Sequence, residues 1–185
     1  MVAHINNGVI FLVNILFEIG LAILVVRILL QLVRADFYNP ISQLVWRLTQ
    51  PLLRPLQRVL PRYRTLDVAT LAVLYVLALV YVEVLARLWQ LEPAFGFALL
   101  QAALKVISLT LNIYTLSLFA QALLSWIGPG VSNPAANVLW SLNEPLLRPV
   151  RRILPPIAGL DLSPIPVIIL LQVIDRFLPL SVYFH

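Results

Sequence analysis

The chain has 185 residues, of which 61% are hydrophobic and only 11% charged, with a formal net charge of +5 and no cysteine. Soluble domains run near half apolar and a quarter charged, so this composition, with a mean hydropathy of +0.94, belongs to a membrane protein. The missing cysteines exclude disulfides, thiolate metal sites and cysteine nucleophiles, and the length gives room for about four spans of ~20 residues.

The first apolar run, 9–33, has no basic region before it and no small-residue cleavage site after it, so it reads as a retained span rather than a removed signal peptide. Glu18 lies about 14 Å into this run at the helical rise, near the midplane, and Arg27 about 27 Å in, where its side chain can snorkel to the surface.

A connection rich in arginine follows, with Arg34, Arg47, Arg54, Arg58, Arg62 and Arg64. Within it, Asn39 can cap a helix that has Pro40 in its first position. Apolar Ile41, Leu44, Val45 and Leu48 then recur at helical spacing, and Trp46 suits the headgroup level. Pro51 is expected to end this helix and start a second one carrying Arg54 and Arg58, which Pro61 stops. The pattern predicts a hairpin of interfacial helices over 40–60.

Asp67 opens the second apolar run, 67–90, as a helix-start residue, with a salt bridge to the repeated arginines as the alternative role. Near its far end, Glu83 and Arg87 stand four apart, the spacing of an intrahelical pair. The short link 91–97 carries Glu92 and no basic residue. The third run, 98–127, contains Lys105 about 10 Å in, and further on Asn112.

The next segment repeats the first connection. Asn39, Pro40, Trp46, Leu48, Pro51, Leu52, Leu53, Arg54, Pro55, Arg58, Leu60 and Pro61 return as the same residues from Asn133 to Pro155 without a gap. That is 12 identities in 23 positions, and Leu66-Asp67 returns as Leu160-Asp161. Asn133 therefore caps a second interfacial pair over 134–154, with Trp140, Arg148, Arg151 and Arg152 in place. Asp161 precedes a last apolar run, 163–182, broken by Asp175-Arg176 and Pro179; an eleven-residue apolar core ending at Ile174 and followed by a tail is the alternative, and the repeat argues for the full span.

The predicted fold is an all-α integral membrane protein with four transmembrane helices as two tandem parallel repeats, 1–96 and 97–185. Each repeat carries a cytoplasmic amphipathic helix hairpin between its two spans. The arginine-rich connections put those hairpins in the cytoplasm and both termini outside.

Asn-Pro, then Pro-Leu-Leu-Arg-Pro, then Leu-Asp-Leu-Ser-Pro, most fully present in Asn133-Pro134, Pro145–Pro149 and Leu160–Pro164, resembles the YggT family of bacterial integral membrane proteins, which has plastid relatives. The first copy departs from that pattern, with Gln50 where the second has Glu144, and Val68-Ala69-Thr70 where it has Leu162-Ser163-Pro164. The resemblance implies a bacterial inner-membrane location and a link to osmotic and salt tolerance and to cell-division gene neighbourhoods. In plastids it implies a link to cofactor attachment during cytochrome assembly. It brings no catalytic residue set.

Two sets of residues could carry function. Arg54, Arg58, Arg148, Arg151 and Arg152, with Trp46 and Trp140, can hold anionic headgroups or a membrane-protein partner. Inside the membrane, Glu18, Lys105, Asn112 and Asp175 are costly to bury. In a parallel repeat Glu18 can pair with Lys105, or with Asn14 and Asn112 line an ion or osmolyte pathway. No Gly-rich phosphate loop, HExxH or histidine within a span occurs, so no enzyme chemistry, cofactor or metal is expected. The aromatics suit an interface rather than base stacking, so no nucleic acid is expected. So little exposed polar mass predicts self-association.

Overall fold

The computed structural model describes residues 2–60, 62–63, 66–127, 133–154 and 161–184. It is built of six helices: α1 (Val2–Leu32), α2 (Pro40–Gln57), α3 (Val68–Leu88), α4 (Phe95–Ile127), α5 (Pro134–Arg151) and α6 (Pro164–Phe177). A two-residue ladder pairs Arg62 with Asp67 and Tyr63 with Leu66 ahead of α3, and a 3-10 turn covers Val182–Phe184. Arg64, Pro61, Pro155, Gly128 and Gly130 lie outside the described residues.

Among the described residues, three helices are long and apolar enough to cross a membrane: Asn7–Leu32, Val68–Leu88 and Phe95–Ser125. Large apolar residues such as Leu16, Val76 and Leu116 face outward on them, and their buried contacts use small side chains such as Ala78, Ala86, Ala98 and Ala102 that let helices approach closely. The helix α4 is central: α1, α3, α5 and α6 all pack on it. The larger core joins Leu21, Leu24, Leu74, Tyr81, Leu85 and Phe184 across α1, α3, α4 and the C-terminal turn. A smaller one joins Leu118, Leu147, Val167 and Leu171 across α4, α5 and α6.

The repeat is visible in space. In each copy the proline-rich helix, α2 or α5, packs on the preceding helix and on the one that follows, and α2 and α5 also touch each other. The caps fall where the Asn-Pro pairs predict: Asn39 Oδ1 accepts from the Ile41 amide at 2.9 Å and Asn133 Oδ1 from that of Ala136 at 2.7 Å. Asn39 Nδ2 also donates to the Pro134 carbonyl at 2.7 Å, tying one copy's cap to the other's first turn. The symmetry is incomplete, because α3 packs closely on α4 while α6 makes no comparable contact with α1 among the described residues.

Two expectations fail. The interfacial hairpins are single helices: α2 runs through Pro51 and Pro55, and α5 through Pro145 and Pro149. Each proline removes one donor, but prolines four apart lie on one stripe, and here that stripe is exposed. Fully buried Leu53 and Leu147 on the opposite side hold each helix to the core as one piece.

The last run, 163–182, is not a continuous span. Its helix has 14 residues and reaches about 21 Å, short of the ~30 Å hydrocarbon thickness. Pro179 biases the residue before it away from helix, and Leu178 is extended at φ −66°, ψ 130°.

Candidate functional site

Polar side chains gather at two levels of the helix bundle. Midway along α1, the helices α1, α3 and α4 bring Glu18, Tyr81 and Lys105 together. Lys105 Nζ donates to Glu18 Oε1 at 2.6 Å and stands 4.9 Å from the centre of the Tyr81 ring. Lys105 is buried, whereas the Glu18 side chain is 35% exposed. The pairing foreseen for Glu18 and Lys105 is therefore formed, with a cation–π contact added. Tyr81, fully buried, donates its hydroxyl to Asn14 Oδ1 at 2.8 Å, with the Phe184 carbonyl as a second acceptor within reach at 3.2 Å.

The same centre secures the broken end of the last segment. Gln101, one turn before Lys105, donates to the Pro179 carbonyl at 3.1 Å and accepts from the Ser181 amide at 2.8 Å. Irregular backbone at membrane depth needs such internal partners, since lipid offers none. A glutamine at the start of an apolar run was the available signal, and sequence reasoning passed over it.

Asn112 is not part of this group. It lies two helical turns beyond Lys105, bonds to Ser108 at 3.0 Å, and reaches Asp175 Oδ2 at 3.4 Å. Glu83 and Arg87 make no ion pair, Glu83 being half-buried and Arg87 exposed.

At the second level, α2 and α5 are each pinned to the start of the next helix. In the first copy Asp67 caps α3 through the Ala69 amide at 3.2 Å and accepts from Thr70 Oγ1 at 2.9 Å and from Gln57 Nε2. Arg27, buried rather than snorkelling, bonds to Thr49 Oγ1 at 2.5 Å and Gln50 Oε1 at 3.1 Å, and lies 3.7 Å from Asp67 Oδ2.

In the second copy Asp161 accepts from the Ser163 amide at 3.0 Å and hydroxyl at 2.5 Å. Arg151 donates to Asp161 from Nε at 3.0 Å and from NH2 at 2.7 Å, and to Glu144 Oε2 at 2.7 Å. Burial works against ionised Asp161, but the Ser163 and Arg151 hydrogen bonds together outweigh it and hold the carboxyl below its ordinary value. Buried Asn143 lies 2.9 Å from Gln121 and accepts from Ser117 Oγ at 2.6 Å. With its amide turned, Gln121 also accepts from Arg151 NH2 at 3.3 Å.

These are one network built twice, since 27, 49, 50, 57 and 67 correspond to 121, 143, 144, 151 and 161. Both aspartates combine helix-start and salt-bridge roles, but their partners are Arg27 and Arg151, not the repeated arginines. Those repeated residues, Arg54, Arg58, Arg148 and Arg152, are exposed and make no ion pair among the described residues. Trp46 and Trp140 are half-exposed on the same helices.

Long apolar helices, and a polar network that recurs at corresponding positions, define a helical, membrane-type protein with an internal repeat. The CCB3/YggT family model matches residues 6–88 and again 100–182, and the chain belongs to that family. It is 39% identical to an uncharacterized protein of Pseudomonas aeruginosa, over 92% of this chain and 87% of the other. It is also 39% identical to the protein called uncharacterized protein YggT of Escherichia coli strain K12, over 91% and 88%. An uncharacterized Vibrio alginolyticus protein is 38% identical over 90% of each chain. No solved structure matches.

Proposed function

We propose that this protein is a non-enzymatic inner-membrane factor that supports membrane-complex assembly or envelope homeostasis under osmotic stress through the outer face of α2 and α5. The observation that carries the reading is a division of labour on those helices. Their inner sides are fixed by Asp67 and Asp161, while Arg54, Arg58, Arg148 and Arg152 stand exposed, without an ion pair among the described residues, on the helices that carry Trp46 and Trp140. A pinned basic and apolar face suits anionic headgroups and the acidic border of a membrane-protein partner. In this reading α6 and the extended residues after it make the fourth crossing, α2 and α5 face the cytoplasm, both termini lie on the periplasmic side, and the chain self-associates.

The test is in-cell crosslinking and co-purification of the parent against Arg54→Gln/Arg58→Gln and Arg148→Gln/Arg152→Gln. Loss of partner proteins from folded variants is expected, and an unchanged partner set refutes the reading. The alternative, an ion or osmolyte pathway around Glu18, is weakened by the direct ion pair to Lys105. It requires potassium or proton flux in proteoliposomes that falls in Glu18→Gln; equal flux in parent and variant removes Glu18 from any pathway.

A further inference from the structure

A cavity of about 130 Å³ lies where α1 ends and α2 begins, and Arg54, Arg58, Arg148 and Arg152 are not part of its lining. Its lining includes Arg27, Gln31, Arg34, Phe37, Ser42 and Trp46. Arg27 is already engaged by Thr49, Gln50 and Asp67. The other polar members are not so engaged: the Ser42 hydroxyl and Gln31 Oε1 are buried without a hydrogen-bond partner, and Ser42 as a whole is 9% exposed. Arg34 is exposed and makes no ion pair among the described residues.

The second copy serves as an internal control on what the fold requires. Gln31, Arg34 and Ser42 correspond to Ser125, Gly128 and Ala136, while Trp46 is kept as Trp140. Ala136 is buried at 1% exposure, so this helix position packs without a hydroxyl. Arg34 is the more telling residue. The Ala35 amide donates to the Leu30 carbonyl at 2.9 Å and the Arg34 amide to that of Gln31 at 3.2 Å, the bonding of a Schellman helix end. Arg34 occupies its left-handed position at φ 53°, where glycine is favoured. The second copy has the glycine. The first copy thus holds a strained arginine and an unbonded buried serine around one cavity, and packing explains neither.

We propose that this cavity binds the headgroup of a glycerophospholipid. Arg34 and Ser42 hold the phosphate, at the first turn of α2 where the helix dipole favours an anion. The Gln31 carbonyl accepts from the amine or hydroxyl at the headgroup's end. Trp46 and Phe37, in edge contact at 6.0 Å, flank the glycerol and upper acyl carbons, which is why the ligand is a lipid rather than a free phosphate ester.

The test is native mass spectrometry of the purified, delipidated full chain in detergent, titrated with dioctanoyl phosphatidylglycerol, dioctanoyl phosphatidylethanolamine, dioctanoylglycerol and glycerol phosphate. Saturable binding of one phospholipid is expected, with no binding of dioctanoylglycerol. Arg34→Gly should weaken it at least tenfold and Ser42→Ala about threefold. Both substitutions copy the second repeat, so both variants should keep the parent's melting temperature or exceed it. Arg47→Gln, an exposed arginine on α2 outside the cavity, should bind like the parent. Parent-like affinity in Arg34→Gly and Ser42→Ala overturns the site. So does an equal loss in Arg47→Gln, which would reduce the binding to diffuse charge. Glycerol phosphate binding as tightly as the lipids overturns the lipid assignment.

Discussion

Replacing Lys105 by methionine removes the cation from the Glu18–Lys105–Tyr81 contact while keeping most of the side-chain volume. Breaking a buried ion pair from one side costs about 3–5 kcal/mol, because the remaining charge is left without its partner. Glu18 is about one-third exposed, so the lower end applies, near 3 kcal/mol for Lys105→Met. Glu18→Leu leaves Lys105 more deeply buried but still over the Tyr81 ring, a contact that returns about 1 kcal/mol, so its penalty is similar. The double variant leaves no orphaned charge, and apolar replacements of buried pairs are often neutral. The penalties should therefore not add: a near-neutral double variant against two singles of about 3 kcal/mol makes the coupling several kcal/mol, so at least about 2 kcal/mol, or roughly thirtyfold in the unfolding equilibrium, separates it from the sum of the singles. Unfolding titrations in mixed detergent micelles measure all four corners of this cycle. Additive penalties, with coupling below about 0.5 kcal/mol, would refute the claim that the pair holds the three helices together.

Arg27→Gln leaves buried Asp67 without its cation and should destabilise by about 3 kcal/mol, and Gln57→Arg, copying Arg151 of the second copy, should recover part of it; the same titration checks this, and no recovery counts against the equivalence of the two networks. Gln101→Leu leaves the Ser181 amide and Pro179 carbonyl without partners, about 2–4 kcal/mol in all, and hydrogen exchange should show the segment around 179–184 opening first; parent-like protection there would remove the role given to Gln101. Asp161 has a lowered folded-state pKa, so its contribution is present above the ordinary carboxyl value near 3.9 and fades as pH falls through the lower folded one. The stability gap between the parent and Asp161→Asn should thus be constant from about pH 5 to 7 and close below about pH 4, and a gap still full at pH 3 would contradict this.

Much of the architecture was legible because it rests on local signals. Apolar length marks α1, α3 and α4, the Asn-Pro pairs mark the starts of α2 and α5, and lone charges in apolar runs marked Glu18 and Lys105. The misread elements turn on tertiary context. Pro51 and Pro145 read as helix stops, yet their stripe faces outward and Leu53 and Leu147 hold the helices continuous. Pro179 was discounted in favour of the repeat, although position 85 in the first copy is leucine and imposes no such break. Asp67, Asp161 and Arg151 stand out in the sequence, but partners such as Thr49, Gln57, Gln121 and Asn143 do not, because they are not identical between the copies. Arg27 and Gln121, or Thr49 and Asn143, differ as residues but are polar at the same place in an apolar setting.

That substitution pattern bears on what the duplicated unit does. In the first copy the guanidinium facing the helix-start aspartate comes from the preceding span, as Arg27; in the second it comes from the interfacial helix, as Arg151. The amide and the guanidinium have changed places, with Gln57 opposite Arg27 in one copy and Gln121 opposite Arg151 in the other. A buried carboxylate tolerates either arrangement, provided one positive group reaches it. What both copies keep is therefore a geometry, a surface helix fixed at its C-terminal end to the start of the next helix. The exposed side of each such helix carries the arginines common to both copies, Arg54 and Arg58 in one and Arg148 and Arg152 in the other.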